Sequence, residues 1–140
     1  MVAETDGAVR LRGEEYATEL SRPYWEALRR GVFVVQRCRR CERRQHYPRL
    51  LCHFCGGGVL DWVRASRSGT VVTAVLAHRS SKEDFRSRLP YPVALIRLAD
   101  GPLVLAETAG GLLPRGTMVE IDLAETLRSG LLVASARQEG

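Results

Sequence analysis

Lysine is almost missing from this chain: Lys82 stands alone against 20 arginines. We read that bias as genome composition rather than function. No apolar run approaches the roughly 18 residues that span a bilayer, so a membrane helix is excluded. The opening, MVAETDGAVRLRGEE, has no apolar stretch after a basic start, which predicts an unsecreted, cytoplasmic protein. Aromatic residues stop early, with no Phe, Tyr or Trp from Pro92 to Gly140. Histidine occurs at positions 46, 53 and 78 only. No triad, phosphate-cradling glycine loop or histidine-based metal site can be assembled from them. His53 reads as a spacer inside a cysteine pair, His46 as a surface residue and His78 as the end of a strand.

Cysteine is equally scarce but ordered. Cys38, Cys41, Cys52 and Cys55 form C-x2-C-x10-C-x2-C, the spacing of a zinc ribbon. Each CxxC turns tightly and aims two thiolates at one ion, and two such knuckles complete a tetrahedron. Two disulfides suit an exported chain better, and rubredoxin-type iron sites usually have a longer arm, so zinc is the favoured reading. Four thiolates leave no open coordination position, so the metal is structural and no thiol remains as a nucleophile.

The net charge of +5 is uneven. Residues 37–88 carry 12 basic against 4 acidic side chains, whereas residues 91–140 carry 4 against 6. Arg37, Arg39, Arg40, Arg43 and Arg44 offset part of the double negative charge of a tetrathiolate zinc site. The remaining excess suits a phosphate-bearing ligand or an acidic partner.

Tyr16, Leu20, Tyr24 and Leu28, with Trp25 beside them, make an apolar stripe. It predicts helices over about 13–20 and 23–30, broken before Pro23 and stopped by Gly31. The stripe either packs on the chain's own β-structure or docks on a partner, and its aromatics favour the second slightly. Strands follow at 32–36 and at 59–65, while residues 45–49 return toward the second knuckle through Tyr47 and Pro48. Gly69 begins a β-rich half, with strands at 70–78, 91–99, 103–108, 117–123 and 130–137. A helical turn is expected at 124–129. Five strands at this spacing suit a Greek-key barrel of OB type. The expected fold is mainly β with N-terminal helices, a rubredoxin-like zinc ribbon and then a five-stranded OB-fold barrel. The expected division is 1–31, 32–66 and 67–140.

Several segments carry a wider resemblance: PYWEALRRG at 23–31, FVVQRCRRC at 33–41, YPRLLCHFCG at 47–56, LDWVRASRSGTVVT at 60–73 and PYPVALIRLADG at 90–101. Over about residues 15–137 the chain resembles the zinc-ribbon and OB-fold, acyl-CoA-associated family. That resemblance implies a subunit accompanying thiolase-superfamily enzymes: thiolases, acyltransferases or lipid-transfer-protein-like steroid side-chain aldolases. MaoC-type hydratases are further partners it implies. It carries over only the four cysteines, as zinc ligands. Ser68 departs from the glycine common before Gly69-Thr70, which puts the local turn in question.

The expected function is an accessory, non-catalytic subunit that stabilises such an enzyme and helps position an acyl-CoA thioester. Arg79, Lys82, Arg86 and Arg88 are candidates for contact with CoA phosphates or an acidic partner. Tyr16, Leu20, Tyr24, Trp25 and Leu28 are candidates for docking. A single-stranded nucleic-acid-binding protein is the alternative, since ribbons and OB-folds both serve that purpose and the pI is about 9.4. Such binding needs stacking aromatics, and Tyr91 is the only one on the barrel strands.

Overall fold

The computed structural model describes residues 18–79, 89–129 and 132–137. Helix α1 covers Arg22–Arg29, with Pro23 in its first turn. The expected helix over 13–20 lies outside the described residues up to 17. Residues 18–20 belong to a turn instead, in which the Ser21 N–H donates to the Thr18 carbonyl at 3.1 Å. Gly31, at φ 78°, ends α1 in the left-handed conformation that glycine adopts without strain.

The ribbon sheet has three antiparallel strands: β1 Val34–Cys38, β2 Arg44–Gln45 and β3 Leu60–Arg64, in the order β2-β1-β3. Strand β1 lies two residues later than expected and delivers Cys38 to the first knuckle. Strand β2 is two residues long, and two buried glutamines, Gln36 and Gln45, stand opposite one another in its register with β1. Gln36 Oε1 accepts from Gln45 Nε2 and from the Arg49 N–H, both at 2.8 Å. Gln36 Nε2 donates to the Arg49 carbonyl at 3.0 Å, and Gln45 Oε1 accepts from the His53 N–H at 2.8 Å. Each side-chain oxygen and nitrogen of these two buried amides has a hydrogen-bond partner, as burial demands.

The barrel comprises β4 Ser68–Ala77, β5 Tyr91–Leu98, β6 Leu103–Thr108, β7 Met118–Ile121 and β8 Val133–Ala136, with α2 Leu123–Ser129 between the last two. It closes in the order β4-β5-β6-β8-β7, with β6 and β8 parallel and every other pair antiparallel. This is the expected zinc ribbon followed by a closed five-stranded OB-fold. Asp122 caps α2 through Oδ1, which accepts from the Glu125 N–H at 3.0 Å.

Two close approaches explain the glycine and serine at the barrel entry. A Cβ on Gly69 would lie 2.7 Å from the Arg97 carbonyl oxygen and from Ile96 Cγ2, so only glycine fits. Ser68 is an ordinary strand residue opposite Glu120, and Ser66 Oγ accepts its N–H at 3.1 Å. No positive φ is needed there, so serine in place of glycine leaves the turn intact.

One core runs through both halves. Tyr24, Trp25 and Leu28 of α1 join Phe33 and Val35 of the ribbon to Val71, Ile96, Val104, Val119 and Ile121 of the barrel. Asp100, in the β5–β6 turn, locks the junction. Its Oδ2 accepts from Arg44 Nη1 at 2.8 Å and from the Ser66 N–H at 2.9 Å. Both ion-pair partners are about a quarter exposed or less, so this pair is screened less than a surface one.

Candidate functional site

The four cysteines converge as their spacing requires. Their sulfurs all lie within 4.8 Å of one another, with Cys38–Cys55 and Cys41–Cys52 at 3.6 Å. Sulfurs at about 2.3 Å from a tetrahedral zinc stand roughly 3.8 Å apart, so the set fits zinc and is far too open for disulfides.

The two knuckles repeat one local geometry. The residue after each second cysteine is left-handed: Glu42 at φ 67° and Gly56 at φ 79°. Its N–H donates back to the carbonyl of the first cysteine, Glu42 to Cys38 and Gly56 to Cys52, both at 2.9 Å. The backbone N–H groups of Arg40 and Phe54 point at the sulfurs of Cys38 and Cys52, at 3.3 and 3.4 Å. Gly57 closes the centre, because a Cβ there would meet Cys38 Sγ at 3.1 Å and Cys55 Sγ at 3.4 Å. Bound zinc would crosslink β1 to the loop before β3 and supply folding energy, with all four positions filled by protein.

The arginines around the centre have mixed duties. Arg39 Nε pairs with Asp61 at 2.9 Å, and that bond holds the Asp61 carboxyl below its usual range. Arg43 lies over the Phe54 ring at 4.9 Å. Arg44 belongs to the junction with Asp100.

The other sequence candidates separate. Tyr24, Trp25 and Leu28 are buried in this chain's own core, where they also line a cleft between ribbon and barrel. Of that set Leu20 is exposed, and Tyr16 lies outside the described residues. Arg79 is exposed just beyond β4, while Lys82, Arg86 and Arg88 also lie outside the described residues. His53 and His78 are exposed.

His46 is not the surface residue its polar neighbourhood suggests. Its ring centroid lies 5.3 Å from Tyr24, 6.1 Å from Phe33 and 5.5 Å from Tyr47. Nε2 is enclosed without a partner among the described residues. Burial pushes its pKa down to about 4, so the ring is neutral at pH 7. Burial likewise raises that of Tyr24.

A cleft of about 700 Å³ between ribbon and barrel escaped the sequence reading. Trp25 and Tyr47, hydrogen-bonded at 3.2 Å, stand on one side, and Leu95, Leu103 and Leu105 on the other. Its walls come from four separated stretches, around residues 24–28, 44–54 and 95–105 and at Leu132, and the local signal was the alternation that leaves Leu103 and Leu105 outside the barrel.

Comparison with known proteins agrees with this architecture. Residues 62–132 match the family model described as ChsH2, C-terminal OB-fold domain. Residues 25–61 match ChsH2, rubredoxin-like zinc ribbon domain. A solved structure titled Ltp2-ChsH2(DUF35) aldolase superposes with a TM-score of 0.68 at 27% identity, over 86% of this chain and 96% of that one. A DUF35-family protein of unknown function from Sulfolobus solfataricus shares the fold, with a TM-score of 0.62 at 16% identity, over 91% of this chain and 93% of that one. Among curated proteins, a probable enoyl-CoA hydratase alpha subunit from Thermomonospora curvata is 32% identical over 87 residues, 62% of this chain and 27% of that protein. A DUF35 domain-containing scaffold protein from Pyrococcus furiosus is 36% identical over 59 residues, 42% of this chain and 43% of that protein. The matched regions thus span less than half of either curated relative.

Proposed function

Because this chain belongs to the ChsH2 family of zinc-ribbon and OB-fold proteins, we propose that it is an accessory subunit of an acyl-CoA-processing enzyme. Its partner is a thiolase-superfamily protein: a thiolase, an acyltransferase or a lipid-transfer-protein-like steroid side-chain aldolase. The partner supplies the reacting groups, and this chain stabilises the complex and helps position the thioester. The observation that carries the reading is the likeness, over 86% of the chain, to the structure titled Ltp2-ChsH2(DUF35) aldolase. The relative named as a hydratase subunit supports a MaoC-type hydratase as a further partner.

Local chemistry is consistent with that role. The thiols face one another around a closed metal site. On the ribbon, Leu50, Leu51, Phe54 and Val59 are each about half exposed or more, with Leu50 at 76%. Large apolar side chains gathered on a surface mark contact with another protein. Single-strand nucleic-acid binding gains less support, because the outward barrel positions Val93, Leu95, Leu103, Leu105 and Met118 carry no ring and Tyr91 alone makes no stacking platform.

Co-expression with an Ltp2-type aldolase subunit tests the proposal. We expect a stable complex that cleaves or condenses an acyl-CoA substrate, and no turnover by this chain alone. Robust activity of the isolated chain, or failure to co-purify with any thiolase-fold subunit, refutes it.

A further inference from the structure

Strands β4 and β5 run on past the barrel as a two-stranded arm. They stay paired to their ends, Ala77 opposite Tyr91, with a register shift between Val71 and Thr73 at the root. On its other edge β4 meets β7 only through Ser68–Thr70, with two further bonds joining Val71 to Gly116 and Thr117. Beyond that point, residues 73–77 have no strand neighbour on that edge among the described residues.

The two edges of the arm differ. On the β5 side, pairing with β6 begins at Val93, and the free end carries Pro90 and Pro92, which lack an N–H. Proline is a common way to blunt an exposed edge. The β4 edge reads Thr-Ala-Val-Leu-Ala, with no proline, glycine or charge. Val75 is 60% exposed and Leu76, on the opposite face, 41%. An uncharged edge with apolar side chains on both faces is a template for another strand.

We propose that this edge pairs with the same edge of a second copy of the chain, forming a closed two-fold dimer. A two-fold axis at Val75 sets Val75 against itself, Ala74 against Leu76 and Thr73 against Ala77. No like charges confront one another in that register, and β-branched residues meet at its centre. Within the arm, the proline-blunted end of β5 leaves only the β4 edge free to pair among the described residues, so arm-to-arm association stops at two instead of growing into a fibre. Five residues of edge bury less than the 1,200 Å² or so of a standard stable interface. The dimer is therefore concentration-dependent. This inference stands apart from the accessory-subunit reading.

Sedimentation equilibrium of the full chain, from about 5 to about 500 µM, is the test. The expected result is a monomer–dimer equilibrium that Val75→Lys weakens at least about tenfold by placing two ammonium groups face to face. Val75→Thr, uncharged and β-branched, keeps the dimer. Zinc content and thermal transition stay unchanged in both variants because the side chain is mostly exposed. A wild-type chain that is monomeric throughout, a dimer that survives Val75→Lys, or open-ended growth overturns the proposal.

Discussion

Adding one methyl group beside the metal centre should loosen it without touching a ligand. In Gly57→Ala the new Cβ falls 3.1 Å from Cys38 Sγ and 3.4 Å from both Cys55 Sγ and Arg40 Cβ. Ordinary carbon–sulfur contact is a few tenths of an ångström longer. The Cys38 thiolate must therefore give by a few tenths of an ångström, and a tetrahedron at about 2.3 Å from the metal has little slack. Gly57 has no positive φ, so alanine adds no backbone strain and the effect is purely steric. Changes just outside the ligands of metal sites typically cost tenfold to a hundredfold in affinity, and we expect about that loss of zinc affinity. The neighbouring glycine is the control, since a Cβ on Gly58 meets only Leu51 Cδ2 at 3.8 Å. Competition against a chromophoric chelator measures both variants. Zinc binding within threefold of wild type in Gly57→Ala, or an equal loss in Gly58→Ala, refutes the argument.

Gly69→Ala should destabilise the barrel by about 3 kcal/mol in urea denaturation, because its Cβ overlaps a backbone carbonyl and the β4–β5 pair must part; a change below about 1 kcal/mol contradicts the close approach. His46 should give a pH-dependent term. Its folded pKa of about 4 lies below the unfolded 6.5, so the unfolded chain binds more protons between those values. Stability therefore falls as pH drops through that window, by about 2 kcal/mol at pH 5 for this one group. His46→Phe should remove that part of the slope, and the difference between variant and wild type isolates it from acid release of zinc. Equal slopes in the two proteins would show that the ring is solvated.

The metal centre and the barrel were legible in the sequence because both are encoded by short-range spacing. Two CxxC pairs fix a tetrahedron wherever they occur, and alternation along residues 103–108 and 118–121 fixes the inward face of each strand. The helix over 23–30 was marked by Pro23 and Gly31, with the stripe between them. What the stripe would touch was not legible. Tyr24, Trp25 and Leu28 look like docking residues until Phe33, Val35 and the barrel interior are brought beside them. His46 misleads for the same reason: its neighbours Gln45 and Arg44 are polar, but the rings that enclose it come mainly from positions 24 and 33. The open edge of the arm depends on how far β7 reaches along β4, a property of strand lengths that no local pattern states.

The ribbon combines a tethered backbone with outward side chains. Between the knuckles, the Arg49 N–H and carbonyl are held by Gln36, and the His53 N–H by Gln45. With its backbone bonded inward, this loop leaves Leu50, Leu51 and Phe54 facing out. Full burial of a leucine or phenylalanine is worth about 1.5–3 kcal/mol, and these partly exposed side chains forgo a share of it. That stabilisation is recovered if another surface covers them. A zinc-crosslinked loop also loses little further backbone entropy when it docks, which favours association over an equally apolar but unrestrained loop. The Arg44–Asp100 pair and the shared core then hold the loop in a fixed position relative to the barrel. A partner that grips the ribbon therefore sets the position of the barrel as well. Such rigidity suits the accessory role proposed above.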